Sequence, residues 1–360
     1  MNNKKITIIT VCFNSAKTIK RTIDSVKAQT YSNIEYIIID GQSTDGTIDI
    51  INEYIDYIDC FVSEPDSGIY DAMNKGVKKA TGDWIAFLNA DDYYADDAII
   101  RIADVCNEIE NDVDIISAQI NYLKDNEIIG KSKYSSFKSI WNEMPVAHPA
   151  TFVRHSVFDK IGLFDTSFKI AADYEFMVRC FINDLHCRYE SFFTTYFSID
   201  GTSGTNHEEL YKEDKRILEH YACYCEDKSV IKKSLLKKEK ILTYLNVKKE
   251  TMKKIIDTNK QIYIWGTGYW GNSFASTLKN CDINFEGFID NDKTKQGDFI
   301  QGHLVLNPIF LKKNTDRYTV IIAVEGAYET IQSQIIKMCK NMCIIYYEDI
   351  IDRIFDLEGT

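Results

Sequence analysis

Proline is scarce in this sequence, and long apolar runs are missing. Four of the 360 residues are proline, so no proline-rich linker marks a domain boundary, and boundaries have to be inferred from changes in residue pattern. No stretch approaches the roughly 20 apolar residues that a membrane-spanning helix needs. The first apolar run, Ile6–Val11, is as short as a β-strand and is not followed by a signal-peptide cleavage pattern, which predicts a cytoplasmic protein.

Excess positive charge is also lacking. The formal net charge is −12 and the sequence isoelectric point is about 5.1. Because nucleic-acid binding depends on Lys and Arg side chains that neutralise phosphates, this balance argues against nucleic acid as the main partner. A divalent cation between carboxylates and a phosphorylated ligand is still compatible with an acidic protein.

The cysteines have the spacing of neither a disulfide framework nor a zinc site. There are ten, and they are scattered singly except for Cys223 and Cys225. Without a secretion signal we expect them to be reduced and mostly buried. No Cys/His cluster has the ligand spacing that is typical of zinc.

The length of 360 residues predicts two domains, and a composition of 45% hydrophobic and 27% charged residues is typical of a globular protein. In the first part of the chain, apolar runs typical of buried strands alternate with apolar residues at helical spacing. Strands are predicted at Ile6–Val11, Ile34–Ile39, Cys60–Val62, Trp84–Leu88 and Ile115–Ile120. The alternation predicts an α/β fold with a mostly parallel mixed sheet that is covered by helices.

Three polar loops follow predicted strands, namely Cys12–Ser15, Asp40–Gly46 and Asn89–Asp92. Ligands bind to open α/β sheets at the carboxyl ends of the strands, so these loops are candidates for a shared site. The last loop offers a compact set of oxygen ligands that suits Mg²⁺ or Mn²⁺. An acidic pair in a loop is also typical of a helix N-cap, so this loop alone does not decide between the two.

Residues 206–257 have a different pattern and are predicted to form a helical connector. The segment Lys228–Lys254 contains ten lysines and only two acidic residues, Glu239 and Glu250, with leucine and isoleucine between them. Two interpretations remain open for this amphipathic segment. It is either a solvated connector or a peripheral contact with an anionic membrane surface.

A second, smaller α/β domain is predicted over residues 258–360, and we expect it to be Rossmann-like. The strand Ile262–Trp265 leads into a glycine-rich turn with Gly266, Gly268 and Gly271, and Asp290 ends the next predicted strand. This spacing resembles a dinucleotide-binding fingerprint. The turn either binds a nucleotide or nucleotide-sugar, or belongs to a module that binds none and supports oligomerisation.

Five motifs in the first part of the chain occur in the order and spacing of family-2 glycosyltransferases. They are TVCFN at 10–14, IDGQSTDGT at 39–47, SEPDSGIYDAMNKG at 63–76, ATGD at 80–83 and LNADD at 88–92. The resemblance covers roughly residues 5–200 and implies an inverting enzyme of GT-A fold that takes part in bacterial surface-polysaccharide synthesis. The predicted domains are therefore 1–205 for the transferase, 206–257 for the connector and 258–360 for the Rossmann-like domain.

The resemblance also implies a donor-nucleotide site. The positions that match it are Thr10, Phe13, Asn14, Asp40, Asp66, Asn74, Asn89 and Asp92, and Asp40 matches an acidic residue whose presence favours uracil. The sequence departs from the family pattern at three places. Phe13 stands where tyrosine is usual, Gly41 where many members have a second aspartate, and Asn89 where the first aspartate of the metal motif is usual.

The catalytic residues follow from the same resemblance. Asp91 matches the metal ligand, and Asp173, in the segment Lys169–Arg179, matches the base that deprotonates the acceptor hydroxyl. Glu175 ranks second as a base. His148 is either a contact for the acceptor or the diphosphate, or a hydrogen-bonded structural histidine.

The expected activity is transfer of a hexose or N-acetylhexosamine from a UDP-sugar to a glycan or lipid-linked acceptor, with Mn²⁺ or Mg²⁺ as cofactor. One alternative is an NAD-dependent sugar oxidoreductase or epimerase centred on the glycine-rich turn, but the tyrosine–lysine pair that such an enzyme needs is not identified there. Another alternative is a sugar-binding protein without catalysis. The presence of both Asp91 and Asp173 favours the enzyme.

Overall fold

The computed structural model describes residues 3–109, 112–124, 127–132, 136–199, 206–313, 317–339 and 342–358. The chain divides into two compact units, Met1–Leu235 and Leu236–Thr360. Residue 205, the predicted end of the first domain, lies outside the described residues. The division between the units falls inside one long helix, Lys228–Leu245.

The described residues of the first unit form nine strands. They are β1 Ile6–Cys12, β2 Ile34–Asp40, β3 Cys60–Ser63, β4 Trp84–Phe87, β5 Tyr93–Tyr94, β6 Ile115–Lys124, β7 Glu127–Lys131, β8 Thr151–Arg154 and β9 Cys187–Ser198. The α-helices are α1 Ile19–Lys27, α2 Thr47–Asn52, α3 Ile69–Lys79, α4 Ala98–Glu108, α5 His155–Ile161, α6 Ala172–Ile182, α7 His207–Tyr221 and the start of α8 Lys228–Leu245. Of the strands that the sequence predicts in this unit, four are present within one residue at either end, and β6 continues four residues beyond the predicted Ile115–Ile120.

These strands form a mixed sheet in the order β3-β2-β1-β4-β8-β6-β9-β5, with β7 paired to β6. The four strands β3, β2, β1 and β4 are mutually parallel. Antiparallel pairing begins where β8 joins β4. The carboxyl ends of the parallel strands therefore meet at one edge, and the loops after β1, β2, β3 and β4 lie there.

The sheet is buried on both faces because its central strands are apolar throughout. On β1, Ile9 and Val11 face one hydrophobic cluster, whereas Ile6 and Ile8 face the other. This alternation follows from the two-residue period of a strand. The site loops thus rest on a rigid, doubly covered sheet.

The second unit has its own sheet. Its strands are β10 Gln261–Trp265, β11 Gly287–Ile289, β12 Phe299–Ile300, β13 His303–Leu306, β14 Tyr318–Ile322 and β15 Cys343–Tyr346, in the order β12-β13-β11-β10-β14-β15. All pairs are parallel except β12 with β13. Its helices, after the end of α8, are α9 Lys249–Ile255, α10 Tyr269–Asn280, α11 Tyr328–Met338 and α12 Tyr347–Glu358. Among the described residues of both units, none belongs to a helix with the length and apolarity that crossing a membrane requires.

Candidate functional site

A cavity of about 1160 Å³ opens at the carboxyl edge of the first sheet. Six of the residues that the sequence singles out line it together: Phe13, Asp66, Asn89, Asp91, His148 and Asp173. They come from four loops and from the first turn of α6, so the fold gathers residues up to 160 positions apart. Asp91 and Asp173 face one common cavity.

The loop after β4 is held in place by helix α1. Arg21 donates from Nη2 to the backbone oxygen of Asp91 at 3.0 Å. Thr22 lies with its hydroxyl 3.0 Å from the carbonyl of Ala90 and 2.7 Å from that of Asp92. Since α1 fixes the backbone on both sides of it, Asp91 is presented to the cavity by a rigid loop.

The neighbouring Asp92 lies outside the cavity lining. Its side chain is fully buried, and Oδ1 accepts a hydrogen bond from the backbone N–H of Ser198 at 2.9 Å. Burial, and then the charge of Asp91, raise the pKa of the Asp92 carboxyl well above its usual range. We infer that Asp92 anchors the loop to β9 and does not touch a ligand.

The two oxygen-bearing side chains that do line the cavity in this loop suit a divalent cation. Asn89 Oδ1 is buried and no described residue donates a hydrogen bond to it. An amide oxygen of this kind and the Asp91 carboxylate are hard ligands of the type that Mg²⁺ and Mn²⁺ prefer. Among the described residues there is no group of three or more His, Cys, Asp or Glu that could hold a metal. The protein thus offers a partial ligand set, which is usual where substrate phosphates complete the shell.

Asp173 lies in the first turn of α6, and a tyrosine reaches it from α3. Tyr70 donates to the backbone oxygen of Ile170 at 2.5 Å, and its hydroxyl is 3.0 Å from Asp173 Oδ1. Burial, and then the charge of Asp173, raise the pKa of Tyr70 well above its usual value, so the phenol stays protonated as a donor. No sequence pattern assigns a functional role to Tyr70, because an aromatic residue at the start of a helix is typical of core packing.

His148 lines the cavity and stacks on Phe87, with ring centroids 5.4 Å apart. Neither ring nitrogen has a hydrogen-bond partner among the described residues. Burial lowers the pKa of His148, and the nearby charge of Asp173 opposes this only in part. A neutral imidazole with unsatisfied nitrogens does not fit the interpretation of a hydrogen-bonded structural histidine.

Three of the predicted nucleotide residues lie outside the lining and organise the loops behind it. The Asp40 carboxylate is buried and accepts hydrogen bonds from Ser43 N and Oγ at 3.0 and 2.5 Å. The side-chain oxygen of Asn14, a residue with a positive φ of 49°, accepts from Thr44 N at 2.9 Å. Thr10 is buried with its hydroxyl 3.1 Å from that of a tyrosine on β2.

Asn74 and Glu175 also lie outside the lining. Asn74 makes two hydrogen bonds with the backbone of Phe164, one as donor at 2.9 Å and one as acceptor at 3.0 Å. Glu175 is 3% exposed and pairs with Arg179 at 2.9 Å. Asn74 therefore ties α3 to neighbouring backbone, and Glu175 holds Arg179, which itself donates to the backbone oxygens of Ile161 and Leu163.

The glycine at position 41 has a local structural reason. A Cβ built on Gly41 would lie 2.5 Å from Asp66 Oδ2 and 3.3 Å from the Phe13 ring. A larger residue there would displace both of these side chains, which line the cavity. The departure from the family pattern at Gly41 therefore accompanies a close approach of Asp66 to the loop after β2.

In the second unit, the glycine-rich turn joins β10 to α10. A Cβ on Gly271 would lie 2.0 Å from the carbonyl oxygen of Gly266, which itself has a φ of 108°. Gly268 has no neighbour within 4 Å of such an atom. Asp290 Oδ2 accepts from both N and Oγ1 of Thr267, at 3.2 and 2.7 Å. In this structure, Asp290 is therefore engaged by the turn itself.

Comparison with known proteins supports this picture of the first unit. A family model described as glycosyl transferase family 2 matches residues 7–169. The chain is 33% identical over 180 residues to a PGL/p-HBAD biosynthesis glycosyltransferase of Mycobacterium bovis, a match that spans 49% of this chain and 69% of that protein. It is also 33% identical over 177 residues to an uncharacterized glycosyltransferase of Mycobacterium tuberculosis, over 48% of this chain and 68% of that protein.

Solved structures resemble the chain in fold. S. aureus TarS 1–349 in complex with UDP-GlcNAc superposes with a TM-score of 0.52 at 18% identity, over 66% of this chain and 70% of that one. A mannosyltransferase from Pyrobaculum calidifontis, solved with GDP-Man and Mn²⁺, gives 0.51 at 16% identity, over 68% and 71%. The predicted GT-A-type α/β fold is thereby confirmed for the first unit. A model described as C2185-like, N-terminal, matches residues 258–345 in the second unit.

Proposed function

The chain belongs to glycosyl transferase family 2, and we propose that it transfers a hexose or N-acetylhexosamine from a UDP-sugar to a hydroxyl group of a glycan or lipid-linked acceptor. The observation that carries this proposal is the common cavity of Asp91 and Asp173. One carboxylate serves the nucleotide end of the donor and the other serves the incoming hydroxyl. A site that only binds sugar has no need of a base beside the donor.

The reaction is a single displacement with inversion at the anomeric carbon. Asp173 takes the proton of the acceptor hydroxyl as its oxygen forms the new bond to that carbon. The bond between the anomeric carbon and the diphosphate oxygen breaks, and UDP departs with the electron pair. Asp173 Oδ1 accepts a hydrogen bond from the backbone N–H of Tyr174 at 2.9 Å and lies 3.0 Å from the Tyr70 hydroxyl, which leaves the second oxygen to accept the proton.

Asp91 and Asn89 would hold the divalent cation. When bound, the ion neutralises the negative charge that develops on the departing diphosphate. The unsatisfied Asn89 oxygen supports this assignment, as does the Mn²⁺ in the structure of the Pyrobaculum calidifontis mannosyltransferase, whose fold is similar. Phe13 and Asp66, on the loops after β1 and β3, complete the donor end of the cavity.

The rest of the cavity lining suits an acceptor that carries hydroxyl groups. It includes Gln119, Tyr122, Lys131, Glu143 and Tyr189, which come from β6, β7, β9 and the loop before His148. A few polar groups among aromatic rings are typical of small-molecule sites. The resemblance to family-2 glycosyltransferases supports a glycan or lipid-linked acceptor in the synthesis of surface polysaccharide.

A lipid-linked acceptor requires contact with a membrane, and α8 offers a surface for it. Lys232 and Lys233, in the part of α8 that belongs to the first unit, are both exposed. Juxtamembrane lysines are each worth about 1 kcal/mol at an anionic surface. Sedimentation with phosphatidylglycerol vesicles, but not with phosphatidylcholine vesicles, would support this contact. If the double variant Lys232→Glu/Lys233→Glu sediments with phosphatidylglycerol vesicles as completely as the wild-type protein does, this contact is excluded.

The experiment that tests the function is a UDP-release assay with a panel of UDP-sugars, with Mn²⁺ or with EDTA, and with water or oligosaccharides as acceptors. We expect release from at least one UDP-sugar, dependent on the metal and lost in Asp173→Asn. GDP-mannose in the same panel tests the uracil preference. Absence of release from every sugar nucleotide, together with NAD(H)-dependent absorbance changes, would favour the oxidoreductase alternative instead.

A further inference from the structure

A buried glutamate on α7 binds the backbone immediately before the proposed catalytic base. Glu213 is 5% exposed. Its Oε1 accepts from Lys169 N at 2.7 Å, and its Oε2 accepts from Ile170 N and Ala171 N, both at 2.9 Å. One carboxylate thus satisfies three consecutive backbone N–H groups, 42 to 44 residues away along the chain.

These three residues lead directly into α6, whose second residue is Asp173. The N-cap of this helix, Ala171, provides no side-chain hydrogen bond, so the usual capping interaction is missing. Glu213 replaces it from outside the helix. Tyr70 binds the carbonyl of Ile170, so this residue is held at its N–H by Glu213 and at its C=O by Tyr70.

Further contacts of α7 hold the same region. Arg216 donates to the backbone oxygen of Ser167 at 3.2 Å, and its guanidinium lies 3.9 Å from the ring centroid of Phe168. At the end of the helix, the Tyr221 hydroxyl donates to Glu175 at 2.5 Å. The family model ends at residue 169, so α7 lies beyond the region that the family match covers.

We propose that Glu213 is a positioning residue for the transfer reaction. By binding residues 169–171, it fixes where α6 begins and therefore where the Asp173 carboxylate lies in the cavity. The proposal rests on the proposed function, since it assumes that Asp173 is the base. Misplacement of a catalytic group by about 1 Å is enough to slow a reaction on the order of a hundredfold.

The variant that tests this is Glu213→Gln, which keeps the size of the side chain but removes its charge and half of its acceptor capacity. We expect the amides of residues 169–171 to exchange with deuterium at least about tenfold faster. We expect kcat per UDP-binding site to fall about ten- to a hundredfold, while KM for the UDP-sugar stays within about twofold, because the donor end of the cavity is unchanged. Glu213→Asp keeps the charge on a shorter side chain, and should show the same changes at smaller size if the glutamine variant does not fold.

The matched control is Glu209→Gln. Glu209 lies one turn earlier on α7 and contacts the same residue, but through the side chain of Lys169 at 3.5 Å rather than through its backbone. Glu209→Gln removes the same charge but no contact to the backbone of residues 169–171. It should therefore behave as wild type in deuterium exchange and in kcat. A general effect of the helix charge would instead appear in both variants and would overturn the proposal.

The outcomes distinguish three claims: the contact of Glu213 with residues 169–171, its positioning role, and the proposed function. An unchanged rate of amide deuterium exchange in Glu213→Gln would overturn the contact between Glu213 and residues 169–171, whether or not the wild-type protein turns over UDP-sugars. Faster exchange with unchanged kcat would overturn the positioning role. Absence of UDP release from wild-type protein would overturn the proposed function, while the exchange measurement would still report on the contact.

Discussion

Replacement of His148 by phenylalanine should stabilise the protein and slow its reaction. The imidazole is buried against Phe87, and neither nitrogen has a hydrogen-bond partner among the described residues. We expect a ligand bound in the cavity to satisfy at least one of these nitrogens, whereas the free protein bears the cost of leaving them unpaired. Phenylalanine keeps the aromatic contact and removes both polar atoms.

The size of the effect follows from that cost. A buried polar group without a partner costs about 1–3 kcal/mol, so His148→Phe should raise the free energy of unfolding by about that amount at pH 7. In a unit of this size, the expected shift of the melting temperature is about 2–4 °C per kcal/mol. Because a ligand contact is lost, kcat/KM for UDP release should fall about tenfold or more.

The same variant should change the dependence of stability on pH. Burial lowers the pKa of His148 below the usual 6.5, so the unfolded chain takes up a proton more readily than the folded protein does. The wild-type protein therefore loses stability as the pH falls below about 6.5, and His148→Phe lacks this loss. Denaturant titrations at pH 7.5 and 5.5 should show the gap between the two proteins widening at the lower pH. A destabilised variant with undiminished activity would refute the ligand role and favour a packing role.

Three further changes test the fold and the assignment of the acidic loop. Burial alone would raise the pKa of Glu35, but its hydrogen bonds hold this pKa at about 2. Glu35→Gln should therefore lower the free energy of unfolding by about 2 kcal/mol at pH 7. Denaturant titrations should show this difference in full above about pH 4.5 and show it disappear as the pH falls toward 2. Asp92→Asn should not lower the free energy of unfolding, because burial raises the pKa of this carboxyl. The rate of UDP release should stay within about threefold of wild type, because Asp92 lies outside the cavity lining. A loss of activity as large as that of Asp173→Asn would show that Asp92 belongs to the site. Gly271→Ala should lower the free energy of unfolding by about 3 kcal/mol, because the added Cβ would lie 2.0 Å from the Gly266 carbonyl oxygen. Gly268→Ala should have little effect, because its Cβ would meet no atom within 4 Å. Equal melting temperatures of the two variants would contradict this packing.

The sequence predicted the elements whose signal is local. The buried runs of β1, β2 and β4 and the helical periodicity between them have a period that can be counted, so their positions are confirmed within a residue or two. The GT-A-type fold of the first unit, predicted from the ordered motifs, is confirmed as well. The strands β5, β7 and β9 were missed, because pairing with neighbouring strands, rather than a strong local pattern, makes them strands.

The direction of individual side chains could not be read from the sequence. Asp91 and Asp92 are adjacent carboxylates, and Asp92 is drawn away from the cavity by the backbone of Ser198, 106 residues later. Tyr70 meets Asp173 across 103 residues, and nothing in the spacing announces the contact. Such pairs depend on how the sheet brings its loops together. The order of the motifs predicts that the loops meet, but it does not predict which side chains touch.

The most direct measurement is a calorimetric titration of UDP, with and without Mn²⁺, into the wild-type, Asp91→Asn and Asp173→Asn proteins, with UDP-sugar turnover measured on the same samples. We expect Asp173→Asn to bind UDP with Mn²⁺ within about twofold of wild type and to turn over no donor. Asp91→Asn should lose the Mn²⁺-dependent part of UDP affinity, about tenfold or more. Manganese-dependent affinity that survives in Asp91→Asn, or turnover that survives in Asp173→Asn, would contradict two separate roles for these carboxylates in one cavity.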